Sequence, residues 1–117
     1  MTVLQVVISL VFNTIVLDNT NLFAPPYTPG EIVFSIIIDY TQSPPVALSP
    51  KLLGMAVESL GAQTRVAVDG IVNISTFGLG LDPITTYYAD GKVLVVDPTK
   101  PQIGHTIDEN RFLIRII

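Results

Sequence analysis

The sequence predicts an all-β fold: a small β-barrel or β-sandwich of two strand-hairpin half repeats, with an extended strand or arm at its N-terminus. Three observations carry this. Apolar and polar residues alternate along segments rich in Val, Ile, Thr and aromatic residues, the period-two pattern of half-buried strands. No long segment shows the period of an amphipathic helix. The chain also aligns with itself, since KLLGMAVES (Lys51 to Ser59) and PQIGHTIDE (Pro101 to Glu109) match without gaps at an offset of fifty, the kind of self-similarity that marks a repeated unit.

Taken in order, Thr2 to Phe12 reads as the first strand, and Thr14 to Leu17 continues it. This stretch has no basic residue and is interrupted by Gln5, Ser9, Asn13 and Asp18. It therefore matches neither a signal peptide, which needs a cationic start, nor a membrane-spanning helix of about 20 apolar residues. The protein is expected to be made in the cytoplasm. FAPPYTPG, Phe23 to Gly30, is a proline-rich connector whose prolines cannot donate ladder hydrogen bonds. Residues 1–27 are thus expected to form a strand and arm leading into a core domain at residues 28–117.

EIVFSIIIDYT, Glu31 to Thr41, is the second strand, and QSPPVALSP is read as a connector. Leu53 to Gly61 admits a helix when taken alone, with Ser49 as N-cap, Pro50 at the first position and Gly61 past the end. Its repeat partner contains His105, Thr106 and Ile107 and has no cap followed by proline, so the shared element is a short glycine-led strand. In both copies an arginine-led apolar strand follows, RVAV at Arg65 and RFLI at Arg111. A strand and proline-containing connector precede each, FSIIIDYTQSPPVALSP in the first and KVLVVDPTKP in the second.

Asp69-Gly70, between RVAV and IVNIS, is expected to form a two-residue type I′ hairpin turn, because Gly and Asp supply its positive φ values. Ala89-Asp90-Gly91 is a second hairpin turn. The tract TFGLGLDP, Thr76 to Pro83, lacks the Lys and Ser/Thr of a phosphate loop and reads as a flexible loop or bulge. RFLIRII closes the chain, with Arg111 and Arg115 on one face.

With 117 residues there is room for one core. Only 14% of the residues are charged, against roughly 25% in a typical soluble domain. Apolar surface is therefore left exposed or covered by a partner. The net charge is −4, and there is no run of Lys or Arg, which argues against nucleic-acid binding. Disulfides and thiolate chemistry are excluded because the chain has no cysteine.

Enzymatic readings find little support. The single histidine, His105, falls on Met55 in the repeat, the place of an ordinary strand side chain. Asp108 and Glu109 sit in a turn beside Asn110, and most other acids lie in turns or beside proline. Asp18-Asn19-Thr20-Asn21 is oxygen-rich but lacks the Gly and bidentate Glu of a calcium loop. No catalytic residue, metal site or cofactor is expected.

The repeated unit (apolar, Gly, apolar or His, Ala or Thr, apolar, Glu or Asp, then a turn and an Arg-led strand) resembles the signature of tailed-phage capsid cement, or decoration, proteins and related virion β-domains. In that family a segment of the type ADGKV leads toward the glycine, and Ala89 to Val93 reads ADGKV here. The resemblance spans Glu31 to Ile117 loosely. It implies a non-enzymatic protein that trimerises on the outer surface of the capsid and bridges neighbouring capsomers of the major capsid protein, with no membrane or nucleic-acid partner. Related patterns occur in tail-fibre and baseplate domains, so a host-receptor or glycan-binding module is the alternative. A small β-barrel enzyme or ligand carrier is a third and weaker reading.

On that implication, Met1 to Leu17 suits addition of a strand to the coat protein's sheet, with Thr2, Leu4, Val6 and Ile8 as capsid-contact candidates. Phe23, Pro25, Pro26 and Tyr27 are further candidates, since exposed aromatics beside prolines anchor partner surfaces well. The segment could equally be a core strand or be exchanged between protomers. All six basic residues lie between Lys51 and Arg115, while the first fifty hold Asp18, Glu31 and Asp39. Arg65, Arg111 and Arg115 are therefore expected to meet Glu31 or Asp39 of the next protomer in the trimer.

Overall fold

The computed structural model describes residues 12–116. They form eight strands: β1 (Phe12–Asp18), β2 (Ile32–Asp39), β3 (Val46–Ser59), β4 (Gln63–Asn73), β5 (Thr86–Asp90), β6 (Val93–Val95), β7 (Gln102–Thr106) and β8 (Arg111–Ile114), with one 3-10 turn at Asn19–Asn21. The fold is all-β. One antiparallel sheet runs β2-β3-β4-β8-β7-β5-β6, with β1 added to β4, and it curls into half of a barrel. No helix among the described residues is long and apolar enough to cross a membrane.

The two copies of the repeat adopt the same geometry down to single residues. Met55 lies opposite Ala67 and Ala56 opposite Val66; the matching residues His105 and Thr106 lie opposite Leu113 and Phe112. On the other side, β2 pairs Val33 with Gly54 and then, after a bulge, Phe34 with Leu52. The second copy does the same, with Tyr87 opposite Gly104 and Tyr88 opposite Gln102 across a bulge. The backbone N–H of Ala56 donates to Glu31 at 2.8 Å, and that of Thr106 donates to Thr85 at 3.0 Å. Each half is therefore a three-stranded unit, β2-β3-β4 or β5-β7-β8.

The strand matching β2 is β5. The sequence pairing of FSIIIDY with KVLVVD is thus corrected: Val93–Val95 forms β6, a hairpin partner on the other side of β5. A close backbone approach explains why the repeat keeps glycine. A Cβ on Gly54 would stand 2.0 Å from the carbonyl oxygen of Ala67, and one on Gly104 would stand 1.9 Å from that of Leu113.

Asp69-Gly70 does not turn the chain, because β4 runs straight through it. The register against β1 slips just before it, from Thr14 opposite Ala67 to Asn13 opposite Asp69, which leaves Val68 as the extra residue of a bulge and the dipeptide paired in the strand. Gly70 has φ +91°, so the positive φ expected of a hairpin turn occurs inside a continuous strand instead. The extra residue resets the inward alternation. Ala67 before the bulge and Val72 after it both enter the main core, which an uninterrupted period of two would forbid. Gly70 also lies opposite Phe12 on one edge and Ile114 on the other. Along β4, β3 thus hands over to β8 at the point that joins the halves.

QSPPVALSP is a connector only in part, since Val46 to Pro50 belong to the fourteen-residue strand β3. Pro50 is accommodated because the pairing with β2 slips between Ser35 and Ile37 at that point. Beyond it β3 has β4 beside it only from Met55 onward, so no ladder bond is required of the proline.

Two buried clusters lie on opposite faces of β2-β3-β4. Ile32, Met55 and Ala67 join Val72, Ile74, Tyr87, Ile103, Phe112 and Ile114 in the main core. Their sequence neighbours Val33, Ala56 and Val66 form the second cluster with Leu22 and Tyr27. The connector is what covers that second face. Asn19 holds it there, its N–H donating to Ala62 at 2.9 Å, its side-chain amide to Gly61 at 3.1 Å, and its Oδ1 accepting from the buried Thr64 hydroxyl at 2.6 Å. The described part of residues 1–27 is therefore packed into the sheet: β1 pairs with β4, and Leu22 is 1% exposed.

Candidate functional site

Of the expected capsid-contact residues, Thr2, Leu4, Val6 and Ile8 lie outside the described residues. Phe23 is half exposed, and Pro25 and Pro26 are exposed. Tyr27 is 1% exposed and is corrected from surface anchor to core residue. Its hydroxyl donates to the Phe23 carbonyl and accepts from the Phe34 N–H at 3.4 Å. Burial pushes the Tyr27 hydroxyl pKa above the ordinary tyrosine value. The Lys92 ammonium sits 4.5 Å from the ring centroid and donates to the Pro26 carbonyl at 2.8 Å. Together Phe23, Tyr27, Phe34, Pro50 and Lys92 line an apolar hollow of about 200 Å³, at the seam between the connector, the first half and the β5–β6 hairpin.

The residues expected at a protomer interface are dispersed. Glu31 accepts from the Thr28 N–H at 2.7 Å and its hydroxyl at 3.0 Å. Asp39 accepts from Thr41 and Gln42, bonds that hold its carboxyl below the usual range. Arg65 and Arg111 already have acids in their own chain. Arg65 Nε reaches Glu58 at 3.0 Å, and Arg111 Nε reaches Asp108 at 2.9 Å. These pairs are equivalent in the repeat, since Glu58 aligns with Asp108. The hydrogen bond from Arg111 holds the Asp108 carboxyl below its ordinary pKa. As exposed, solvent-screened pairs they contribute little to stability. Arg115 is exposed, and its backbone N–H donates to Ile103 at 2.8 Å.

His105 is half buried on β7, opposite Thr86 and Leu113. Among the described residues no group of three or more His, Asp or Glu converges. What the surface does present is apolar area at the outer strands of the sheet. Ile15 and Val16 on β1 are each 40% exposed, Ile36 and Ile38 on β2 are 40% and 41%, and Val93 on β6 is 58%. Sequence reasoning missed this set because strand alternation does not reveal which strands lie at an edge. No family model, no curated protein and no solved structure matches the chain.

Proposed function

We propose that the protein is a capsid cement protein of a tailed phage, a non-enzymatic trimer that binds the outer face of the head and bridges neighbouring major capsid protein subunits. The observation that carries the reading is the glycine-led strand with its acidic end and arginine-led partner, the motif that resembles that family's signature. It occurs twice here in the same register, with the same backbone approach and the same ion pair. Low charge and exposed β-branched residues on outer strands support it further, since such surface suits burial against a partner. Binding strength in this reading comes from area and from multivalent attachment. Because Phe12–Asp18 already pairs with β4, the proposed coat-binding strand is limited to residues 1–11, apolar and alternating in sequence.

The test is to mix the purified protein with expanded, undecorated heads and follow sedimentation. Saturable, stoichiometric co-sedimentation with increased heat resistance of the heads is expected. Absence of stoichiometric binding, together with a specific signal on a glycan array, would instead favour a tail-fibre or baseplate module.

A further inference from the structure

The halves share one three-stranded unit, so a feature present in one half alone is not required by that unit. Only the first half prolongs its hairpin, with Ile37 opposite Leu48, Ile38 opposite Ala47 and Asp39 opposite Val46. Its outer strand, β2, ends the sheet. The first part of that edge is occupied. The Ile32 N–H donates to the Lys92 carbonyl at 2.9 Å, the Phe34 carbonyl accepts from the Phe23 N–H at 2.9 Å, and Leu22 bridges Ser35.

Both slips in the β2–β3 register place the extra residue on β3, so β2 keeps its alternation. Its even-numbered residues therefore continue to turn their peptide groups outward. At Ile36 and Ile38 that edge has no strand beside it among the described residues. Ile36 and Ile38 line, with Thr20, Asn21 and Tyr40, a groove of about 190 Å³. The edge ends at Asp39, which no Lys or Arg pairs among the described residues.

We infer that this edge binds an extended strand of a different protein, running along Ile36 to Asp39, with alternate apolar side chains in the groove and a Lys or Arg facing Asp39. Charge disfavours a second copy as the occupant. The outer strands of this sheet are β1, β2 and β6; the first fifty residues contain no Lys or Arg, and Lys92 beside β6 is engaged by Pro26 and Tyr27. The inference goes beyond the cement reading, which places the N-terminal segment rather than this edge on the coat.

The test uses the full isotope-labelled chain and two short soluble peptides alternating Thr and Val, one carrying a single Arg near its end and the other a Glu there. Addition of the Arg peptide is expected to shift the amide resonances of Ile36 and Ile38 and slow their exchange. The Glu peptide is expected to bind about three- to tenfold more weakly. Asp39→Asn should retain binding and narrow that difference. The inference is overturned by no binding, by equal affinity for the two peptides, or by perturbation confined to β1 or β6. Concentration-dependent protection of Ile36 and Ile38 without peptide would also overturn it, because a second copy would then be the occupant.

Discussion

Gly104→Ala is expected to destabilise the protein by at least about 3 kcal/mol, and Gly54→Ala by a similar amount. The cause is backbone on backbone. The added methyl would meet a carbonyl oxygen of the neighbouring strand at 1.9 Å in one case and 2.0 Å in the other, and no side-chain rotation relieves that. The strands would have to separate and lose ladder hydrogen bonds. Gly78→Ala is the control. It has φ +67° but nothing within 4 Å of the new methyl, so only the left-handed backbone is penalised, at about 1 kcal/mol. Urea unfolding of the three variants checks the order. Equal, small losses would mean that strands β3–β4 and β7–β8 are farther apart than described.

Phe112→Ala is expected to cost about 3 to 5 kcal/mol, the range for emptying a buried phenylalanine site. Phe112 is fully buried in the main core and packs against Tyr87, with ring centroids 6.2 Å apart. Val66 is its equivalent in the first half and is also fully buried, but in the cluster beneath the connector. Val66→Ala removes less volume and should cost about 2 to 3 kcal/mol. The two variants should also differ in where amide exchange accelerates: around β7 and β8 for Phe112→Ala, around Leu22 and Tyr27 for Val66→Ala.

The contrast between Phe112 and Val66 shows what a repeat does and does not reveal. Sequence comparison found the glycines, the arginine-led strands and their acidic partners, because backbone approach and an ion pair restrict residue type at single positions. It could not show that equivalent faces meet different surroundings. Val33, Ala56 and Val66 face the connector, whereas Tyr87, Thr106 and Phe112 lie on the equivalent face in the second half, where Tyr87 and Phe112 belong to the main core. His105, equivalent to the buried Met55, is half exposed for the same reason.

Asp69-Gly70 suggests a hairpin because a type I′ turn needs positive φ, but Gly70 has that φ within a continuing strand; the choice depends on the strands alongside, β1 and β8, which are distant in sequence. Pro50 suggested a connector because a proline cannot serve a central strand, yet a bulge beside a missing neighbour removes that objection. Tyr27 looked like an anchor because proline-flanked aromatics are often exposed. Its burial follows from Asn19 pinning the connector across the sheet, which no local pattern encodes.

Of the candidate surface, the low charge was legible and the location was not. Composition indicates that apolar area must be left over. Only the strand order shows that part of it, Ile15, Val16, Ile36, Ile38 and Val93, lies on the outer strands β1, β2 and β6.

Two register-equivalent halves are joined through a continuous β4. Cross-strand nuclear Overhauser contacts test this most directly. Ala56 should contact Val66 and Thr106 should contact Phe112, while Val72, beyond Gly70, contacts Phe112 on β8. A contact between Val68 and Ile71 across a two-residue turn at Asp69-Gly70, with none between Val72 and Phe112, would contradict it.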